Sequence, residues 1–115
     1  VPFEVTLRNT ALDAMTPRIV SCSLHTADPG GTGADEVTGG TYARQTPSWG
    51  AAAAAVVEID TPMVFQIPAG NEIQYVGLWD TGPTWVGSIA LTTPEPFNND
   101  GELTVQEMTI TATNA

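Results

Sequence analysis

The chain has 115 residues, three basic side chains against thirteen acidic ones, a formal charge of −10 and one cysteine. Nucleic-acid binding and adhesion to anionic membranes both need clustered Lys or Arg; Arg8, Arg18 and Arg44 are scattered and lysine is absent, which argues against both. One cysteine allows no intrachain disulfide and no cysteine metal cluster, and the longest apolar run, residues 51–57, is far too short to span a bilayer.

The length fits one domain, residues 1–115, with one core. Taken from the N-terminus, residues 3–8 alternate: Phe3, Val5 and Leu7 face one way and Glu4, Thr6 and Arg8 the other, a strand pattern. Asn9 or Thr10 then caps a short helix over residues 11–15, with Asp13 in its first turn and Pro17 ending it. In the next strand Val20, Cys22 and Leu24 share one face, and Ser21, Ser23 and His25 the other. After a long glycine-rich loop, residues 41–45 form a short strand. The alanine run 51–55 favours helix by propensity, but its start at Trp49-Gly50 and its passage into "VVEID" point to a loop and then a strand at 56–60.

Met63, Phe65 and Ile67 form the inward face of the following strand. "YVGLWD" and "WVGSIA", separated by "TGP", read as a hairpin. Both of its faces are largely apolar, which places it centrally with cover on both sides. Gly77 and Gly87 would leave room for aromatic rings. Asp100-Gly101 marks a turn. The last strand covers 102–112, and its inward phase slips by one near Gln106-Glu107, as at a β-bulge. Short strands between dense Gly and Pro define an all-β fold, an antiparallel β-sandwich of jelly-roll or immunoglobulin-like type with one short N-terminal helix.

The loop "SLHTADPGGTGADEVTGGTYARQ" collects the chain's candidate chemistry. It lacks the lysine of a phosphate-binding loop, and its carboxylates would repel a phosphate. Asp28, Asp35 and Glu36 are hard oxygen ligands and weak candidates for calcium, set against the plainer reading of a solvated acidic turn. Cys22 and His25 lie three apart on a strand and so face opposite ways; that argues against a thiol–imidazole pair and makes Cys22 a core residue. His25 is an edge residue or an anchor for the loop. No nucleophile-elbow motif is present, so no catalytic residue and no cofactor is expected. Arg44, a lone cation among acids, is expected to pair with Asp28, Asp35 or Glu36, or to be a surface residue of little weight. Trp49, in a Pro-Ser-Trp-Gly turn, is the one plausible surface aromatic.

The same loop resembles a signature of small tailed-bacteriophage virion proteins, read broadly as "LHTADPG-TG-xEV-GGxYARQ" and followed downstream by "GLWD". Here the counterpart is "VGLWDTGPTWVGSIALTT", and "LRNTALDAM" is similar to that family's short N-terminal helix. The middle departs from the pattern at "SWGAAAAAVV". The resemblance implies a tail-fibre, head-fibre or minor structural protein that is not an enzyme. The expectation is a structural protein on the outer virion surface, of capsid-decoration or head-fibre type, made in the bacterial host cytoplasm. A tail fibre or minor tail component is the alternative, and a glycan-binding surface module a third. Expected partners are copies of itself, in a homotrimer, and the major capsid protein or other virion proteins. Phe3, Arg8, Trp49 and Arg44 are the expected interaction residues, with the N-terminal segment nearest the attachment surface.

Overall fold

The computed structural model describes residues 4–112. One helix, α1 (Val5–Met15), is followed by a 3-10 turn (Thr16–Arg18) and seven strands. These are β1 (Ser21–His25), β2 (Val56–Glu58), β3 (Met63–Ile67), β4 (Asn71–Asp80), β5 (Thr84–Phe97), β6 (Gly101–Val105) and β7 (Thr109–Thr111). All pairings are antiparallel and form three sheets, β1-β4-β5, β2-β7 and β3-β6. The fold is a β-sandwich with one short N-terminal helix.

The core lies between the three-stranded sheet and the β3-β6 pair. Cys22 and Leu24 of β1 and Ile73 and Val76 of β4 meet Met63, Phe65 and Ile67 of β3 and Val105 of β6. The alternation expected for β3 holds: Met63, Phe65 and Ile67 are buried while Val64 and Gln66 are exposed.

The N-terminal strand expected from residues 3–8 is a helix from Val5 onward; Phe3 lies outside the described residues. A second period runs through the same letters. Arg8 and Leu12, and Asn9 and Asp13, are four apart and share a helical face. Leu12 is buried, and the polar members dock on distant backbone. Arg8 Nη1 donates to the Ala112 carbonyl at 3.1 Å, Asn9 Oδ1 accepts from Ala55 N–H at 2.8 Å, and Asp13 Oδ1 accepts from Ala52 N–H at 2.8 Å. The N-cap is Glu4, with no side-chain cap, and not Asn9 or Thr10. Pro17 sits inside the 3-10 turn that continues the helix.

These contacts also explain why the alanine run is not helical. Ala54 and Ala55 are held at φ of 52° and 60°, a left-handed conformation that L-residues other than Gly avoid by about 1–2 kcal/mol each. The hydrogen bond to Asn9 and that from Ala112 N–H to the Ala55 carbonyl, 2.9 Å, fix it.

Three other expectations are corrected. Residues 41–45 form no strand; only Gln45 bridges to Cys22. The β4–β5 hairpin is central only in β4, since β5 is an edge strand with one face exposed along most of its length. The phase slip near Gln106 is not a bulge within one strand. It is the point where the chain leaves the β3-β6 pair and joins the β2-β7 pair.

Candidate functional site

The glycine-rich loop starts at the end of β1 and returns to the same strand. Val37 N–H donates to the Leu24 carbonyl at 2.9 Å, and Cys22 and Gln45 exchange two hydrogen bonds of 2.7 and 3.0 Å. The outer edge of β1 is thereby covered by its own loop. Val37 and Pro29 are carried into the interior.

Two linked networks fix the loop. In the first, both oxygens of Glu36 are engaged. Arg44 Nη2 donates to Oε1 at 2.7 Å, Arg44 Nε to Oε2 at 3.0 Å, and the Tyr42 hydroxyl to Oε2 at 2.8 Å. The same hydroxyl accepts from Leu24 N–H at 3.0 Å. The guanidinium carbon of Arg44 lies 3.9 Å from the centroid of the Trp79 ring, a cation–π contact. Burial pushes the Glu36 carboxyl up, but the hydrogen bonds from Arg44 and Tyr42 and the Arg44 charge outweigh it and hold the group below its ordinary value. Burial, followed by the Glu36 carboxylate, drives Tyr42 up.

In the second network His25 Nδ1 is 2.7 Å from the Ala34 carbonyl, Nε2 is 2.6 Å from Ser23 Oγ, and Trp79 Nε1 is 2.8 Å from Ser23 Oγ. A carbonyl only accepts and an indole N–H only donates. Nδ1 of His25 therefore carries a proton and Trp79 donates to Ser23; in the neutral imidazole Ser23 then donates to Nε2. Ser23 and His25 are both 0% exposed. Trp85 packs edge-on against both His25 and Trp79, with centroids 5.5 and 5.0 Å away.

This room exists because of two glycines. In the β1–β4 ladder Gly77 stands opposite Ser23. A Cβ there would strike Ser23 Oγ, lie 2.5 Å from His25 Nε2 and 2.8 Å from the Trp85 ring. Gly33, at φ 77°, faces the Trp79 and Trp85 rings, which a Cβ would meet at 2.7 and 2.8 Å. Gly87, by contrast, faces open space, so of the two glycines expected to make room for rings only Gly77 does so.

The arrangement holds the loop, its polar groups engaged with one another. Ser23 and His25 have a dyad's spacing, but both are sealed from solvent and the Ser23 oxygen is taken by Trp79. A carbonyl, not a carboxylate, orients the imidazole. The pair could have been noticed in the sequence, because Ser23 and His25 share a strand face; its third member, Trp79, depends on the β1–β4 register. The calcium candidates are not brought together. Asp28 Oδ1 accepts from Gly30 N–H, Glu36 is occupied by Arg44 and Tyr42, and Asp35 is a loop residue at φ 63°. Among the described residues no three His, Cys, Asp or Glu side chains form a group that could hold a metal ion.

The other interaction candidates are placed as follows. Arg44 is the inner clamp just described. Arg8 is half-buried and tied to Ala112 through Nη1, with its Nε enclosed. Trp49 is half-buried against the core with its Nε1 enclosed, and it lines an open groove with Pro17, Val20 and Pro47. Cys22 is fully buried, and burial pushes its thiol up to about 12. The reactive species is the thiolate, so Cys22 in the folded protein should resist a thiol reagent at neutral pH and react fully in denaturant. Rapid labelling of the native protein would overturn the burial assigned to β1.

The chain is thus a β-sandwich whose polar networks close inward on its own loop. The family described as "Podophage GP4 fiber I protein gp80" matches residues 3–113, and the chain belongs to that family. This makes it a phage virion protein of a structural fibre family. No curated protein and no solved structure matches it.

Proposed function

We propose that the chain is a non-enzymatic subunit on the outer surface of a tailed-phage virion, of capsid-decoration or head-fibre type, with a tail-fibre or minor tail role as the second reading. The observation that carries it is the family match over residues 3–113, joined to a candidate site whose polar groups are consumed in holding a loop. A glycan-binding role would need two tryptophans exposed in one groove; here Trp79 is buried and Trp49 and Trp85 are each half-buried.

In this reading the partners are the major capsid protein or other virion proteins, and copies of the chain itself. A homotrimer suits a threefold position on a shell or fibre. The chain is made in the host cytoplasm and attaches through its N-terminal end. Val5 and Leu7, 41% and 51% exposed, lie at the start of α1 and offer apolar surface. With −10 per copy, crowding on a shell is self-repulsive, and salt screens such repulsion beyond about 8–10 Å. Occupancy on stripped particles should therefore rise modestly with salt, and a form lacking residues 1–7 should fail to bind. Full occupancy by the truncated form would overturn the placement of the anchor.

A further inference from the structure

We propose that His25 is an acid-released latch: the closed loop admits only the neutral imidazole, and uptake of a second ring proton frees residues 26–45 from β1 while the rest of the sandwich stays folded. The ring is 0% exposed, and both of its nitrogens are engaged, by the Ala34 carbonyl and by Ser23 Oγ. With one ring proton, every hydrogen from Trp79 through Ser23 and His25 to Ala34 has an acceptor. A second proton, on Nε2, makes that nitrogen a donor facing the Ser23 hydroxyl at 2.6 Å. Ser23 Oγ would then accept from Trp79 and His25 together, and its own hydrogen would need another acceptor. The indoles beside it, Trp79 and Trp85, are donors only.

The charges around the ring are already committed. From the loop, Glu36 bridges to His25 and would attract a charged imidazole, but Arg44 and Tyr42 occupy both of its oxygens. Arg44 itself lies over Trp79 and has the sign of a charged imidazole. Asp35 is exposed, and Asp28 turns to Gly30 N–H. From β4, Tyr75 stands opposite His25 in the ladder and Gly77 brings no side chain; from β5 comes the uncharged Trp85. A buried charge without a free partner is costly, so the second proton is taken when the loop is open and water reaches the ring.

The latch sits where the loop is fastened. The bond from Val37 N–H to the Leu24 carbonyl and the exchange between Cys22 and Gln45 lie on the same strand as His25. The β3-β6 and β2-β7 pairs contain none of these contacts. Release of the loop uncovers the outer edge of β1, whose N–H and C=O groups then become a template for another strand. Acid thereby exposes a pairing surface that the closed loop hides, whichever place the protein has on a particle.

Imidazole nitrogen spectra and amide hydrogen exchange of the wild type, followed from pH 8 down to pH 5, test this. At the upper end the ring should show the neutral form protonated on Nδ1. As pH falls through the histidine range, the open population reported by the Val37 and Gln45 amides should rise by up to about tenfold per pH unit, after correction for the intrinsic exchange rate. Amides of β3 should not follow. Glu36 does not supply this slope, because its folded-state value lies below the ordinary glutamate value and it stays charged in that window. His25→Gln takes up no proton there and should show no slope. Thermal melting reports whether that variant folds, and if it does not, the wild-type measurements decide alone. The proposal is overturned by a ring that charges while Val37 and Gln45 stay protected, by an open population independent of pH, by β3 amides that open together with the loop, or by a folded His25→Gln with the wild-type slope.

Discussion

Gly77→Ala should cost about 3–4 kcal/mol of folding stability. A methyl group at this position meets Ser23, His25 and Trp85 at once. Overpacking a closed site costs about 1–3 kcal/mol, and leaving a buried polar group unpaired adds about 1–3 kcal/mol. Here the group displaced is Ser23, which is held at the same time by His25 and Trp79. Against a total stability of about 5–15 kcal/mol for a domain, the change is large. The comparison is Gly87→Ala, ten residues further along the same hairpin, where a Cβ meets nothing within 4 Å; it should stay within about 0.5 kcal/mol of wild type. Urea midpoints of the two variants at neutral pH check this. Equal midpoints would show that the serine–histidine–tryptophan network does not form as described.

Glu36→Ala should cost about 2–3 kcal/mol at neutral pH. It removes three charge-assisted hydrogen bonds, of which each kind contributes about 1.5–3 kcal/mol when enclosed; partial exposure of Glu36 and Arg44 to water reduces the sum. The loss should depend on pH with a definite sign. The folded-state value of Glu36 lies below its ordinary one, so the unfolded chain takes up the proton first as pH falls. The stabilisation is fully present above the ordinary glutamate range and disappears as pH falls through the lower folded-state value. The gap between wild type and Glu36→Ala in urea midpoint should therefore be widest at neutral pH and shrink in acid. A gap that is constant with pH would mean that the carboxylate charge does not hold the loop.

Much of the fold was legible where one local rule acted alone. Met63, Phe65 and Ile67 alternate with polar neighbours or exposed positions, and β3 follows. The loop clamp was partly legible too: a single arginine among three nearby carboxylates has few choices, and Glu36 is the one that Tyr42 also reaches. What was hidden depends on distant partners. Residues 3–8 satisfy a strand period, but Arg8, Asn9 and Asp13 find backbone groups near residues 52, 55 and 112, and those contacts favour the helical period from Val5. The same partners turn the alanine run away from its own helix propensity. The final strand was read as one because its inward positions nearly connect; the two sheets it serves become apparent only from pairing with β3 and then β2. Local context places Trp49 and Arg8 at the surface, and long-range packing half-buries both and encloses Trp49 Nε1 and Arg8 Nε.

The proposed place of this protein is the outer surface of a virion. Electron microscopy of intact virions, labelled with an antibody against the exposed turn at residues 98–100, tests it most directly. Label is expected on the outer surface of the head at many positions per particle. Label confined to the tail would select the tail-fibre reading, and intact particles that bind no antibody while free protein does would rule out a place on the outer surface.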